Sequence, residues 1–330
     1  MFGPFVHNID PIITTVGGVH IWWYGLSFTL GFLNAHLFIR RNREDLGLTL
    51  AGVYDLTLIL AIGVLIGGRT VIVANNEWTF YREHPELIPA IWAGGFATHG
   101  LILGGAAGVL LFCRAYRLPF RPLLDILAIS AAIILACGRI GNFIDGQIYG
   151  SITDVPWGVK FPNVEGFRHP VVLYDGLKNA LLVPFLIWLR GKRPPSGRVA
   201  AVFVVLYAGL RIPIDLLREY PITNFGIPTG QALNIVMLAG GFALLAINLY
   251  RNRDTRAQPD DLPEPSCRRV TVARRVALPV VLLIPLVIPS DATRDVPFTY
   301  GQRHAGLAYS WFYPPIQDDL MRTAESPRGR

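Results

Sequence analysis

The chain has 330 residues, of which 52% are hydrophobic and only 16% charged, with a formal net charge of +7 and a mean hydropathy of +0.41. Soluble domains carry roughly a quarter charged residues, so this composition excludes an ordinary water-facing globule and points to lipid as the solvent. The three cysteines form no CxxC or Cys/His cluster, and no GxxxxGK loop is present, so no metal and no cofactor is expected.

Runs of about 20 apolar residues, the length a spanning helix needs, fall near 19–39, 52–73, 96–113, 123–143, 171–189, 199–217 and 229–249. They predict an all-α polytopic membrane protein with seven core transmembrane helices. The first run is no signal peptide, because no Lys or Arg precedes it and Arg40, Arg41 and Arg43 follow it. That polarity places the N-terminus outside. The alternate loops then agree with it: seventeen Lys and Arg fall in the inner segments 40–51, 114–122, 190–198 and 250–276, against four in the outer ones. The positive charge is therefore a collar suited to anionic headgroups and not a nucleic-acid surface. The organisation expected is a membrane domain over 1–250, a basic inner linker over 251–276, a candidate eighth span over 277–289 and a tail over 290–330 of unassigned role. The segment 277–289 is short for a span and carries Pro279, Pro285 and Pro289.

Charged side chains inside such helices cost roughly 2.5–3.5 kcal/mol each on insertion and are kept for a partner or a cavity. Arg69, Arg139 and Arg211, with His99 and Tyr24, all fall in the outer halves of their predicted helices. Four basic or titratable groups at one depth describe a cationic pocket open to the outer leaflet, whose natural ligand is a phosphate. In LYAGLRIPIDLLREY, Tyr207, Arg211 and Asp215 are spaced four apart and share a helical face, so Asp215 can hold Arg211; a purely structural ion pair is the plainer alternative. Pro213 is expected to kink that helix. Gly100, Gly104 and Gly108 make a small-residue face for close packing. Arg139 and Asn142 share a face, and Gly146 allows a turn after them.

These segments carry a resemblance. GRIGNFIDGQIYG (138–150) resembles the signature of the prolipoprotein diacylglyceryl transferase family, approximately G-R-x-G-N-F-x-N-x-E-x-x-G. IWWYGLSF (21–28), LIGGRTVIV (65–73), THGLILGG (98–105), RHPVVLYD (168–175) and YAGLRIPIDLLREY (207–220) are similar to further family motifs, in the same order, over about residues 10–250. Asp145 stands where the signature has Asn, Gln147 where it has Glu, and Asp175 and Asp215 where the family motifs have Glu. His99-Gly100-Leu101 lacks a second glycine.

The resemblance implies a seven-helix, N-out enzyme of the bacterial cytoplasmic membrane. It would transfer the diacylglyceryl group of phosphatidylglycerol to the lipobox cysteine of a prolipoprotein, the first step of lipoprotein maturation. Arg139 and Arg211 would clamp the phosphate, with His99 as base or orienting residue. Tyr24, Arg69, Asn142, Gly146, His169, Tyr207 and Asp215 would contact the substrates. The changes at 145 and 147 motivate an alternative, a family member that binds anionic lipid or lipoprotein without transfer. A transporter fits less well, because the polar groups cluster at one depth; Lys178 is the one hint of a deeper path.

Overall fold

In hydrocarbon a backbone has no water to bond, so a lone apolar run must satisfy its amides internally, as a helix. The computed structural model describes residues 5–76, 78–146, 148–162, 164–219, 229–251, 270–290, 300, 301, 303, 304, 306, 307, 312 and 313, without the side chains of 75, 76, 98, 99, 229 and 251. Each of the seven apolar runs is occupied by a helix: α1 (Trp23–Arg41), α2 (Leu50–Val71), α4 (Thr98–Tyr116), α5 (Phe120–Asp145), α6 (Val171–Gly191), α7 (Arg198–Leu216) and α8 (Thr229–Arg251). Five segments, Leu50–Ala74, Phe120–Asp145, Val171–Gly191, Arg198–Leu216 and Gly230–Tyr250, are long and apolar enough to cross a bilayer. The chain is thus a mostly helical, multi-pass membrane protein. A short α3 (Trp78–Glu83) lies in the connection between α2 and α4.

The structure departs from the sequence expectation before α1. Residues 19–22 do not begin α1. They form a strand, β3 (Val19–Trp22), antiparallel to β2 (Ile12–Val16). The side chains of β3 alternate between half-buried and buried, the period of a strand, which a count of apolar residues does not register. A parallel pair joins β1 (Phe5–Val6) to β4 (Val159–Lys160). At the other end, the run placed at 277–289 is a helix α9 (Val272–Leu283) followed by a 3-10 turn over Ile284–Val287. At 1.5 Å per residue the twelve residues of α9 rise about 18 Å, and the 3-10 turn and Ile288 to Ser290 carry the segment on to the end of α5. Pro213 does not end α7, which continues one turn to Leu216.

The helices pack in antiparallel pairs, α2 on α4, α1 on α5, α5 on α6 and α7 on α8. The α2–α4 seam is backbone against backbone. A Cβ added at Gly104 would lie 1.9 Å from the Gly63 carbonyl oxygen, and one at Gly100 would lie 2.2 Å from that of Gly67. Only glycine on both helices permits this approach. At the end of the bundle where α5 begins, Ile39, Val53, Leu56, Phe112, Leu123 and Ile126 form an apolar core. There Asp125 accepts from the amides of Gly197 (2.7 Å) and Ala200 (2.8 Å), satisfying donors that α7 leaves open at its start.

Candidate active site

The other end of the bundle, where α5 finishes, holds the charged residues. Arg139 lies on the last two turns of α5. Its Nε donates to Asp175 Oδ2 at 2.5 Å and its Nη1 to Asn142 Oδ1 at 3.0 Å. Asp175, in the first turns of α6, is almost fully buried and receives two more cations. Arg211 of α7 donates to the same Oδ2, and Lys178 Nζ lies 2.7 Å from Oδ1. Arg211 also lies 3.4 Å from Asp215 Oδ1, one turn further along α7. Asn234 of α8 donates to Asp215 Oδ2 at 2.6 Å. Lys178 stands 4.0 Å over the ring of Tyr207 and donates to the Tyr207 carbonyl at 3.4 Å.

Four helices therefore meet on two carboxylates. Three cations against two acids leave this junction with one net positive charge. Buried charges of this kind persist only where hydrogen bonding is nearly complete. A small recess with room for about one water adjoins the junction, lined by Arg139, Val172, Asp175, Arg211, Asp215 and Arg218 among others, so the two guanidinium groups border open space.

Backbone contacts fix the walls of this recess. Gly150 donates to the His169 carbonyl at 2.9 Å, and Ser151 donates to that of Leu217 at 2.7 Å. The loop after α5 is thereby tied to the start of α6 and the end of α7. A side chain at Gly150 would meet Leu217, His169 and Val171 within 2.8 Å. Gly146 closes α5 in the left-handed conformation, φ +69°, where an L side chain is strained.

Of the residues singled out in the sequence, Arg139, Asn142, Tyr207, Arg211 and Asp215 are gathered about Asp175. Tyr24 packs on α5 beside Asn142: a Cβ at Gly141 would lie 2.6 Å from the Tyr24 Cα. Arg69, at the end of α2, donates to the carbonyls of Leu87, Ile88 and Gly94 at 2.5–2.8 Å and so orders the connection between α2 and α4. His169 lies 3.1 Å from the Tyr174 hydroxyl. His99 sits in the first turn of α4; its side chain and Gln147 lie outside the described residues.

Asp175, Lys178 and Asn234 also belong to the site, although no sequence motif singles them out. The signal available for the first two was an acid and a base three apart inside an apolar run. Asn234 was one amide in a long apolar segment.

The family model for prolipoprotein diacylglyceryl transferase matches residues 11–247. The chain belongs to the prolipoprotein diacylglyceryl transferase family. Curated relatives named phosphatidylglycerol--prolipoprotein diacylglyceryl transferase include one from Geobacter sulfurreducens, 35% identical over 73% of this chain and 95% of that protein. One from Nitrosomonas europaea is 37% identical over 72% of this chain and 89% of its own length. One from Legionella pneumophila (strain Lens) is 37% identical over 72% of this chain and 96% of its own length. The family region thus contains α1 to α7 and nearly all of α8, and it ends before α9.

Proposed function

We propose that this protein transfers the diacylglyceryl group from phosphatidylglycerol to the lipobox cysteine thiol of prolipoproteins. It works in the bacterial cytoplasmic membrane, with seven core helices crossing and the N-terminus outside, so that the Asp145 end of the bundle faces the outer leaflet. The observation that carries this reading is the junction of Arg139, Arg211 and Lys178 on Asp175, in a chain of this family.

The charge inventory suits the chemistry. A phosphodiester carries one negative charge, which the net positive charge of the junction matches. In the reaction the cysteine sulfur forms a bond to the glyceryl carbon, the carbon–oxygen bond to phosphate breaks, and glycerol phosphate leaves with the electron pair. The leaving group becomes more negative as the bond breaks, so the cationic junction stabilises the transition state more than the bound lipid. The thiol must also lose its proton, since the thiolate is the nucleophile. His99 is the acceptor in this reading. Asn142, held by Arg139, and Tyr207 position the headgroup, Tyr24 lines the approach of the lipid, and Arg69 shapes the loop above. Asp215 aligns Arg211, and Gly146 and His169 frame the recess.

The test uses purified full-length protein in detergent with phosphatidylglycerol and a synthetic lipobox peptide, followed by mass spectrometry. The expected result is a diacylglyceryl mass gain on the peptide that Arg139→Ala and Arg211→Ala abolish. No gain, where a known family member works under the same conditions, sinks the transferase reading and favours lipid binding without transfer.

A further inference from the structure

The segment beyond the family region returns to the site. Arg274, at the start of α9, donates to Asp55 near the start of α2 at 2.7 and 2.8 Å. Thr29 of α1 donates to the Leu282 carbonyl at 2.9 Å. A Cβ at Gly25 would lie 2.0 Å from the Pro285 carbonyl oxygen, so α1 and the 3-10 turn touch through their backbones. The Ser290 amide then donates to Asp145 Oδ2 at 3.1 Å. Residues 272–290 thus run from near the start of α2 to the end of α5, the full length of the helices. Beyond them, Tyr300, Leu307 and Tyr313 are buried against Ile12 and Trp22, and Trp92 donates to the Phe312 carbonyl at 3.3 Å.

The end of α5 shows what this segment contributes. A helix leaves its last four carbonyls without intrahelical partners. In α5 these belong to Asn142, Phe143, Ile144 and Asp145. Gly146 donates to the first two, and Phe143 also bonds His7 Nε2 at 2.7 Å. The last two receive Arg303: Nη2 donates to the Asp145 carbonyl at 2.6 Å and Nη1 to that of Ile144 at 3.3 Å. The same Nη1 reaches the Ile9 carbonyl at 3.1 Å. A cation at a helix C-terminus is also favoured by the helix dipole. Asp145 is fully buried and stands where the family signature has a neutral Asn. Its carboxylate accepts from Ser290 and sits on a residue whose carbonyl holds a guanidinium.

We infer that the described C-terminal residues 270–290 and Arg303 are a working part of the site, in which Arg303 caps α5 and, with Ser290, makes the acid at 145 tolerable, so that both are positioning residues for Arg139 and Asn142 two turns or less away. This rests on the proposed transferase reading for its effect on rate, but not for its effect on the fold.

The experiment compares full-length wild type with Arg303→Ala, Arg303→Lys, Asp145→Asn and the double variant Arg303→Ala/Asp145→Asn. Two readouts are taken: thermal midpoint in detergent, and kcat and KM for transfer from phosphatidylglycerol to a lipobox peptide. Arg303→Ala is expected to lower the midpoint and to cut kcat roughly tenfold while the KM for lipid changes little, the pattern of a displaced transition-state group. Arg303→Lys is expected to recover part of both. Asp145→Asn alone is expected to be mild. The double variant is expected to regain midpoint relative to Arg303→Ala, since the buried acid has gone. A wild-type midpoint and kcat for Arg303→Ala, or midpoint losses that simply add in the double variant, overturn the inference. An inactive wild type defeats the transferase reading alone, and the midpoints still decide the inference.

Discussion

Asp175 is the residue on which the site turns, because three cations converge on its two oxygens. Replacing it by alanine leaves Arg139, Lys178 and Arg211 facing one another across a site whose side chains are mostly buried, with Asp215 alone to balance them. Removing one partner of a buried ion pair costs about 3–5 kcal/mol. If only the lower figure is expressed as misplacement of the two guanidinium groups, transfer falls about 100-fold or more. Asp175→Asn keeps the shape and removes the charge, and it is expected to fall nearly as far. Asp175→Glu restores the charge with the longer acid of the family motif and is expected to stay within roughly tenfold of wild type. The assay is the initial rate of diacylglyceryl transfer to a lipobox peptide by mass spectrometry, with size-exclusion profiles to show that each variant is folded. A folded Asp175→Ala or Asp175→Asn protein that keeps a third of the wild-type rate would refute the argument that this carboxylate aligns the clamp.

Other outcomes follow from the same geometry. Arg139→Lys and Arg211→Lys keep the charge but lose the planar fork that spans two partners, and steady-state kinetics should show kcat falling nearly as far as in the alanine variants. Gly104→Leu puts a Cβ 1.9 Å from the Gly63 oxygen, whereas nothing lies within 4 Å of a Cβ at Gly240. Thermal unfolding should therefore fall by several degrees for Gly104→Leu and hardly at all for Gly240→Leu. His20, in the hairpin before α1, is held at a pKa of about 4 by burial and by His304, against the pull of Asp10. In the unfolded chain it titrates near 6.5, so between pH 6.5 and 4 the unfolded state binds the extra proton and stability declines as pH falls. His20→Phe should flatten the midpoint-against-pH curve in that window; an unchanged slope counts against the assignment.

The helices were legible because each fills an apolar run, and the run is what a bilayer demands. Within them, local spacing revealed Arg139 with Asn142, and Tyr207 with Arg211 and Asp215, because residues three or four apart share a helical face. The hub was not legible. Asp175 meets Arg139 and Arg211 across helix interfaces, each 36 positions away in sequence, and no periodicity encodes that meeting. The hairpin over 12–22 was hidden because Val19–Trp22 merges with the apolar run that follows. The C-terminal segment was hidden for a different reason. Its mixed polar and aromatic residues carry no helical or strand period, and their partners lie far upstream, as Arg303 to Asp145 shows.

That long reach bears on the order in which the molecule is completed. Trp22 is fully buried, yet part of its cover, Tyr300 and Tyr313, leaves the ribosome long after it. Contacts so distant in sequence are slow to close. During synthesis the seven core helices can assemble while the hairpin around Trp22 still waits for that cover. Maturation of this protein therefore includes a late step, the docking of Tyr300 and Tyr313 on Trp22, and shielding of Trp22 from an aqueous quencher is the clock that times it.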